Sequence, residues 1–391
     1  MEGPVVEGHM ADRNAPAVVL DWNARLSRRR LLACGLQLGG GVSMAAILAA
    51  CGTSSNNGGQ ESGAGGSPSV PTGTITMNNY PGWIGKTEIS DFESQFSGAS
   101  VKTKSEPTES IASDVLFFKQ NPGDYDMGLE DQSAVGQMIA SEVLQPIDFS
   151  NIPNIKYVDD TFRKSYSHGL PTDYGKVGVG YRKDIVTEGI TSWQDIWNLA
   201  PAYSGQITFL NLDRDCMGSA LKYLGYSGNS TTESELEACK NALTEIKPHL
   251  QALTNTNVAS GLVKGTVAIA MDWDFDMVAA QQKEPNIEWV IPSEGAVAYL
   301  EGWIAVKGTD NLPLVEAFMN FHADPKNYAG FVNNTGTAYV ESAATPYVDE
   351  AISKNPILFP DQDALARVEY EDYLGEATAL WSKIWDEFKS T

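Results

Sequence analysis

The ten residues Val297–Val306, V-A-Y-L-E-G-W-I-A-V, decide how the rest of the chain is read. They are apolar enough and short enough to form a buried β-strand. Alternate side chains on a strand share a face, so Tyr299, Glu301 and Trp303 project together. A carboxylate between two rings on a buried face needs a partner, because an unpaired interior charge is very costly. A bound cation would serve, with the rings adding cation–π attraction. The same pattern also fits an edge strand with Glu301 in solvent, and the stretch alone leaves both readings open.

Outward from this strand, short apolar runs alternate with amphipathic stretches from Gly73 onward. Strands are expected at Thr74–Met77, Val101–Lys104, Tyr125–Leu129, Gly178–Tyr181, Gln206–Leu210, Val267–Met271 and Ile287–Ile291. Helices are expected at Thr87–Phe96, Thr108–Lys119, Ser133–Ala140, from Ser192, and at Arg214–Leu224, Glu233–Ile246 and Phe275–Gln282. Asp324-Pro325 is a helix start, and the tail from Asp363 to Phe388 reads as amphipathic helix. Such alternation predicts an α/β fold with mainly parallel sheets flanked by helices. Residues 73–391 are enough for two such lobes, with ligand at the carboxyl ends of the strands.

Composition narrows the partners. The chain has 391 residues, 42% hydrophobic, with a net charge of −23. Without residues 1–50 there remain 22 basic and 46 acidic residues, a net charge of −24. That surface argues against nucleic acid and anionic membranes and mildly favours cations. Nine Trp and fifteen Tyr suit a binding cleft.

The N-terminal fifty residues read as an address. Ser27-Arg28-Arg29-Arg30-Leu31-Leu32 is a twin-arginine export pattern, followed by an apolar run to Ala50. Leu48-Ala49-Ala50-Cys51-Gly52 resembles a bacterial lipobox, in which Cys51 takes the lipid. A transmembrane anchor is the alternative, which Gly35 and Gly39-Gly40-Gly41 weaken. The segment before Ser27 is either an extended leader or lies upstream of a later start such as Met10. Residues 51–72 carry the lipidation site and a Gly/Ser tether, placing the folded body outside the cell on a leash. Cys216 and Cys239 remain in that body, either as a disulfide or as two unrelated buried small residues.

Catalytic signatures are missing. The sequence has no H-E-x-x-H, G-x-S-x-G, Walker loop or G-x-G-x-x-G after a strand. Its four His have no ligand-like spacing, and Asp272-Trp273-Asp274-Phe275-Asp276 fails as a calcium loop because Met277 stands where Gly is required. No metal or cofactor is expected. The many carboxylates leave a secreted carboxylate-dependent hydrolase as an alternative, although nothing selects an acid/base pair.

Three segments stand out: Thr191-Ser192-Trp193-Gln194-Asp195-Ile196-Trp197, Ala220–Asn229 and Pro292-Ser293-Glu294-Gly295-Ala296, which leads into the opening strand. These are the densest part of a likeness running from about Thr74 to the C-terminus, over which the chain resembles the bacterial spermidine/putrescine-binding proteins of ABC importers. The resemblance implies a two-lobed clamshell of the periplasmic-binding-protein type II. Lobe one would be residues 73–176 plus 300–345, and lobe two 177–299 plus 346–391. It implies no enzymatic activity, a polyamine ligand and ABC permease subunits as partners. Attachment to the membrane by the lipid alone is expected from Cys51, since no other stretch is long and apolar enough to span a bilayer. A monomer is expected, at the outer face of the cytoplasmic membrane or in the periplasm.

The family's ligand contacts fall on Tyr80 and Trp83, Asp131 and Ser133, Asp215, Trp273 and Asp276, Tyr299 and Glu301, Thr337, and Glu371. Asp131 and Glu371 are acidic where the family is commonly neutral, and Glu301 is longer than the usual Asp. These departures imply a more acidic cleft, suited to a di- or tri-cation. The same scaffold with another small solute, such as a cationic amine, amino acid derivative, sugar or metal chelate, is the alternative.

Overall fold

The computed structural model describes residues 71–105, 111–166 and 168–391. The export signal, Cys51 and nearly all of the tether lie outside the described residues.

The first wing alternates as expected: β1 (Gly73–Asn78), α1 (Glu88–Gln95), β2 (Ala99–Lys104), α2 (Ile111–Gln120), β3 (Met127–Asp131) and α3 (Gln132–Ala140). Its strands pair in parallel, in the order β2-β1-β3. β4 (Gly169–Arg182) leads to the second wing: α4 (Trp193–Leu199), β5 (Ile207–Phe209), α5 (Asp213–Tyr223), α6 (Glu233–Ile246), β6 (Leu250–Leu253), α7 (Val258–Lys264) and β7 (Ile269–Trp273). There β5 pairs in parallel with β6 and β7. After α8 (Asp274–Gln281) and β8 (Ile287–Val290), β9 (Ala296–Ala305) returns the chain to the first wing. Two helices follow, α9 (Leu312–His322) and α10 (Pro325–Thr335), then β10 (Ala338–Tyr339), β11 (Val368–Tyr370) and α11 (Thr378–Ser390).

The two lobes meet where β4 and β9 cross between wings. The path β2-β1-β3-β9-β4-β7-β5-β6 is parallel in its wings and antiparallel in its middle, at β3–β9, β9–β4 and β4–β7. The first half of β4 pairs with β9, and its second half lies between β7 and β8. All fourteen residues of β4 are buried. Pro171 and four glycines blur its alternation, so only Gly178–Tyr181 is legible as strand.

Large buried side chains hold this frame. Trp193, Trp303, Trp381 and Trp385 are all at most 2% exposed, and apolar burial on that scale contributes roughly 1.5–3 kcal/mol per side chain. The segments that carry the resemblance are mostly scaffold. Ser192 and Asp195 close a capping box on α4, and Glu294 accepts hydrogen bonds from the Trp193 and Gln194 amides. The Trp193 indole donates to the Gly295 carbonyl, which fixes the start of β9. Lys222 and Gly228 bind Glu369 of β11, which pairs with β9 at Ala296–Ala298.

Two expectations are corrected. The tail from Asp363 is not one helix: β11 and a turn at Gly375 precede α11, because pairing with β9 outweighs local helical periodicity. Cys216 and Cys239 are not bonded; both are free and buried in the second wing's core. The Cys239 thiol donates to the Met217 carbonyl at 3.5 Å, and burial pushes both thiols up. They fill apolar space between α5 and α6 as small hydrophobes.

Candidate functional site

The acids of the cleft stand where strands end and helices begin. Asp131 closes β3 and caps α3, its Oδ1 accepting from the Ser133 amide at 2.7 Å and from the Ser133 hydroxyl. Asp215 lies in the first turn of α5, and Asp274 and Asp276 in the first turn of α8. A helix N-terminus favours a carboxylate. Burial opposes it, and here burial is the larger effect at all four.

Strand register sets the centre of the site. Asp131 of β3 lies opposite Glu301 of β9, and Glu301 lies opposite Asp173 of β4. Directly opposed residues project on one face with Cβ atoms about 5 Å apart. Three carboxylates therefore form a row across three adjacent strands. Asp173 Oδ1 accepts from the Thr172 hydroxyl at 2.8 Å. One oxygen of each acid, Asp131 Oδ2, Asp173 Oδ2 and Glu301 Oε2, is buried without a hydrogen-bond partner.

The row's electrostatics follow from that crowding. Burial pushes Glu301 well above the carboxylate range, and Asp173, Asp131 and Asp215 add repulsion. Asp173 is raised to about 7, chiefly by burial, with Thr172 and Trp83 opposing. The Trp83 indole N–H is directed at Asp173 and Glu301 and eases both downward, without reaching hydrogen-bond geometry with either. Asp215 also rises to about 7, through burial and then Asp131, while the Trp273 indole eases it. Asp276 rises to about 6 through burial and Asp274.

Aromatic side chains wall the row. Tyr299 lies opposite Gly175, and its ring fills the space a Cβ there would need. Its hydroxyl is buried without a partner. Tyr80-Pro81-Gly82-Trp83 forms a tight turn closed by Trp83 N–H to the Tyr80 carbonyl at 3.0 Å, with Gly82 at φ +81°. Asn334 clamps this turn through the Gly82 and Ile84 carbonyls. Trp83 meets Phe275 of α8 edge-on at 4.9 Å, and Phe275 stacks on Trp273 at 5.7 Å. The rings thus bridge the wings, as does Gln132 Nε2 donating to the Glu371 carbonyl at 2.7 Å.

Most expected residues come together here: Trp83, Asp131, Asp215, Trp273, Tyr299 and Glu301, with Asp276 beside them on α8. Ser133 serves Asp131, since both its donors are committed to that carboxylate. Thr337 is buried beside β10, its hydroxyl paired with that of Thr335. Tyr80 is 48% exposed. Glu371 faces Arg214, Oε2 to Nε at 3.6 Å, while its Oε1 is unpartnered. Burial pushes Glu371 up, and Arg214 opposes the shift.

Sequence reading missed Asp173 and Arg214. The Thr172-Asp173-Tyr174 run carries no period that marks a strand; its only signal was an acid beside aromatic and apolar neighbours. Trp303 stays on the face of Tyr299 and Glu301 but belongs to the core, fully buried against Phe318 and His322.

A two-lobed α/β frame with an acidic, ring-walled cleft at its crossovers has matches among known proteins. The profile of the bacterial extracellular solute-binding proteins matches residues 89–360. The chain belongs to that family. The spermidine/putrescine-binding periplasmic protein of Escherichia coli K12 is 24% identical over 323 residues, covering 81% of this chain and 92% of that one. A putrescine/cadaverine-binding protein of Pseudomonas aeruginosa is 25% identical over 343 residues, covering 83% and 96%. The crystal structure of a Treponema pallidum lipoprotein superposes with TM-score 0.72 at 21% identity, covering 81% and 99%. This last likeness concerns fold.

Proposed function

We propose that this chain is the solute-binding component of an ABC importer, capturing a polyamine of the putrescine or spermidine class between its lobes and handing it to a membrane permease. It acts in the periplasm or at the outer face of the cytoplasmic membrane, exported by the twin-arginine route and held by lipid on Cys51. It works as a monomer and performs no chemistry on its ligand. The lobes are residues 73–176 plus 300–345 and 177–299 plus 346–391. Tyr80, Trp83, Asp131, Ser133, Asp215, Trp273, Asp276, Tyr299, Glu301, Thr337 and Glu371 form or support the site. The names of the curated relatives support the ligand class.

The carrying observation is the Asp131–Glu301–Asp173 row, with a free oxygen on each member beneath the Trp83 and Tyr299 rings. A polyamine is an apolar chain with ammonium groups, so it needs ring walls and spaced carboxylates together. Bound between the lobes, it offsets the repulsion that opens them, and closure gains only the ligand's differential affinity for the closed state. Titration calorimetry of the mature body with putrescine, cadaverine and spermidine tests this. Glu301→Gln weakens binding about tenfold or more, through loss of a charged hydrogen bond. No heat with any of these amines refutes the ligand class.

One observation favours a second reading, a dibasic amino acid on the same scaffold. Arg214 is 5% exposed, and its Nη1 has no hydrogen-bond partner, so it could take a carboxylate. The surrounding acids oppose this, and putrescine binding more tightly than ornithine decides for the amine.

A further inference from the structure

Asp173 stands outside the family-derived contacts, yet it completes the row. It is fully buried on the crossover strand, opposite Glu301 across β4–β9. Its place depends on the irregularity between Pro171 and Asp173, which shifts the register by one residue so that Asp173, rather than Thr172, lies opposite Glu301. Glu301 stands in the middle, one strand spacing from each neighbour, so the free oxygens of Asp131 and Asp173 flank its own. Among the described residues no Lys, Arg or His forms an ion pair with any of the three; Lys176 is paired with Asp274 and Arg214 with Glu371.

We propose that Asp173 is a specificity-determining residue: with Asp131 and Glu301 it frames a subsite whose three free oxygens match the three N–H donors of one primary ammonium group. The inference rests on the amine-binding reading above and narrows it to ligands with a primary amine end. A primary ammonium has three donors and a dimethylated one has a single donor. Each missing donor leaves a buried carboxylate oxygen unpaired and weakens binding about tenfold.

The subsite is also a proton exchanger. Around Asp173 stand Tyr299 and Glu301 on β9, Asp131 on β3, Trp83 after β1, Tyr166 before β4 and Tyr328 on α10, both phenols held neutral by burial. From the second wing, Asp215 and Arg214 on α5 face the row, and Lys176–Asp274 and Glu371 lie beyond. Acids dominate this set, so the empty row retains protons that a cation displaces. Burial pushes Asp173 up to about 7, which puts proton release within the neutral range. Affinity therefore rises with pH from about 6 to 8.

Calorimetry tests this with putrescine and N,N,N′,N′-tetramethylputrescine, in phosphate and in Tris. The wild type is expected to prefer putrescine about a hundredfold and to release protons, seen as heat that differs between buffers. Asp173→Asn, isosteric and checked for native melting, is expected to lose about tenfold on putrescine, much of the discrimination, and part of the proton release. Wild type that binds both amines equally overturns the proposal without using a variant. Unchanged putrescine binding by Asp173→Asn overturns it while leaving the amine-binding function intact. Failure of the wild type to bind either amine, or spermidine, overturns both.

Discussion

Gly136 should control closure of the cleft. It lies on α3, directly after the strand that delivers Asp131, and a Cβ there would collide with Cβ and Cγ of Tyr373. Tyr373 belongs to the segment after β11, which Asn229 and Arg214 tie to the second wing through the Asp372 amide and carbonyl. Because the colliding atoms are the base of the tyrosine, swinging the ring away does not relieve the clash. Overpacking of this kind costs about 1–3 kcal/mol. The contact joins the wings, so the cost falls on the closed state alone and Gly136→Ala weakens ligand binding roughly 5- to 150-fold. Calorimetry gives the affinity, and small-angle scattering with ligand gives the closure. Tyr373→Ala should restore most of the lost affinity in the double variant. The reasoning is refuted if Gly136→Ala binds normally, or if it destabilises the ligand-free protein as much as it weakens binding.

Three further outcomes follow from buried groups. Glu341 is fully buried with both carboxylate oxygens unpartnered, and burial pushes it up to about 9. The folded state thus holds a proton the unfolded state releases; this stability is complete below the ordinary pKa and is lost as pH rises through about 9. Glu341→Gln should flatten the decline in melting temperature between pH 6 and 9, and a parallel decline would refute the assignment. Lys176 and Asp274 form a buried pair at 2.6 Å, with the Lys176 ammonium also on the Leu358 carbonyl and over the Tyr174 ring. Lys176→Met leaves Asp274 alone and should cost about 3–5 kcal/mol in urea unfolding, whereas Asp274→Asn in that background recovers part of it. Cys216 and Cys239, unbonded and buried, should resist thiol reagents until the protein unfolds, and reductant should leave the melting temperature unchanged.

The local elements and one half of the site are legible in the order of residues along the chain. Alternating runs marked the wings. Asp324-Pro325 marked α10, where Asp324 accepts from the Lys326 amide. The opening stretch is β9 within one residue, with Tyr299 and Glu301 on one face. These features depend on side-chain period and capping, which neighbours in the chain encode. Tertiary structure decided the rest, because register between distant strands has no local signature. Asp173 becomes part of the site only through pairing with β9, and β11 exists only because β9 offers it an edge. The Arg214–Glu371 pair and the Gly136–Tyr373 approach join segments more than 150 residues apart in the chain. Glu301 shows the division most clearly. The chain places it between two rings, but only the strands on either side give it Asp131 and Asp173 as neighbours, and that crowding of buried charge suits it to a cation.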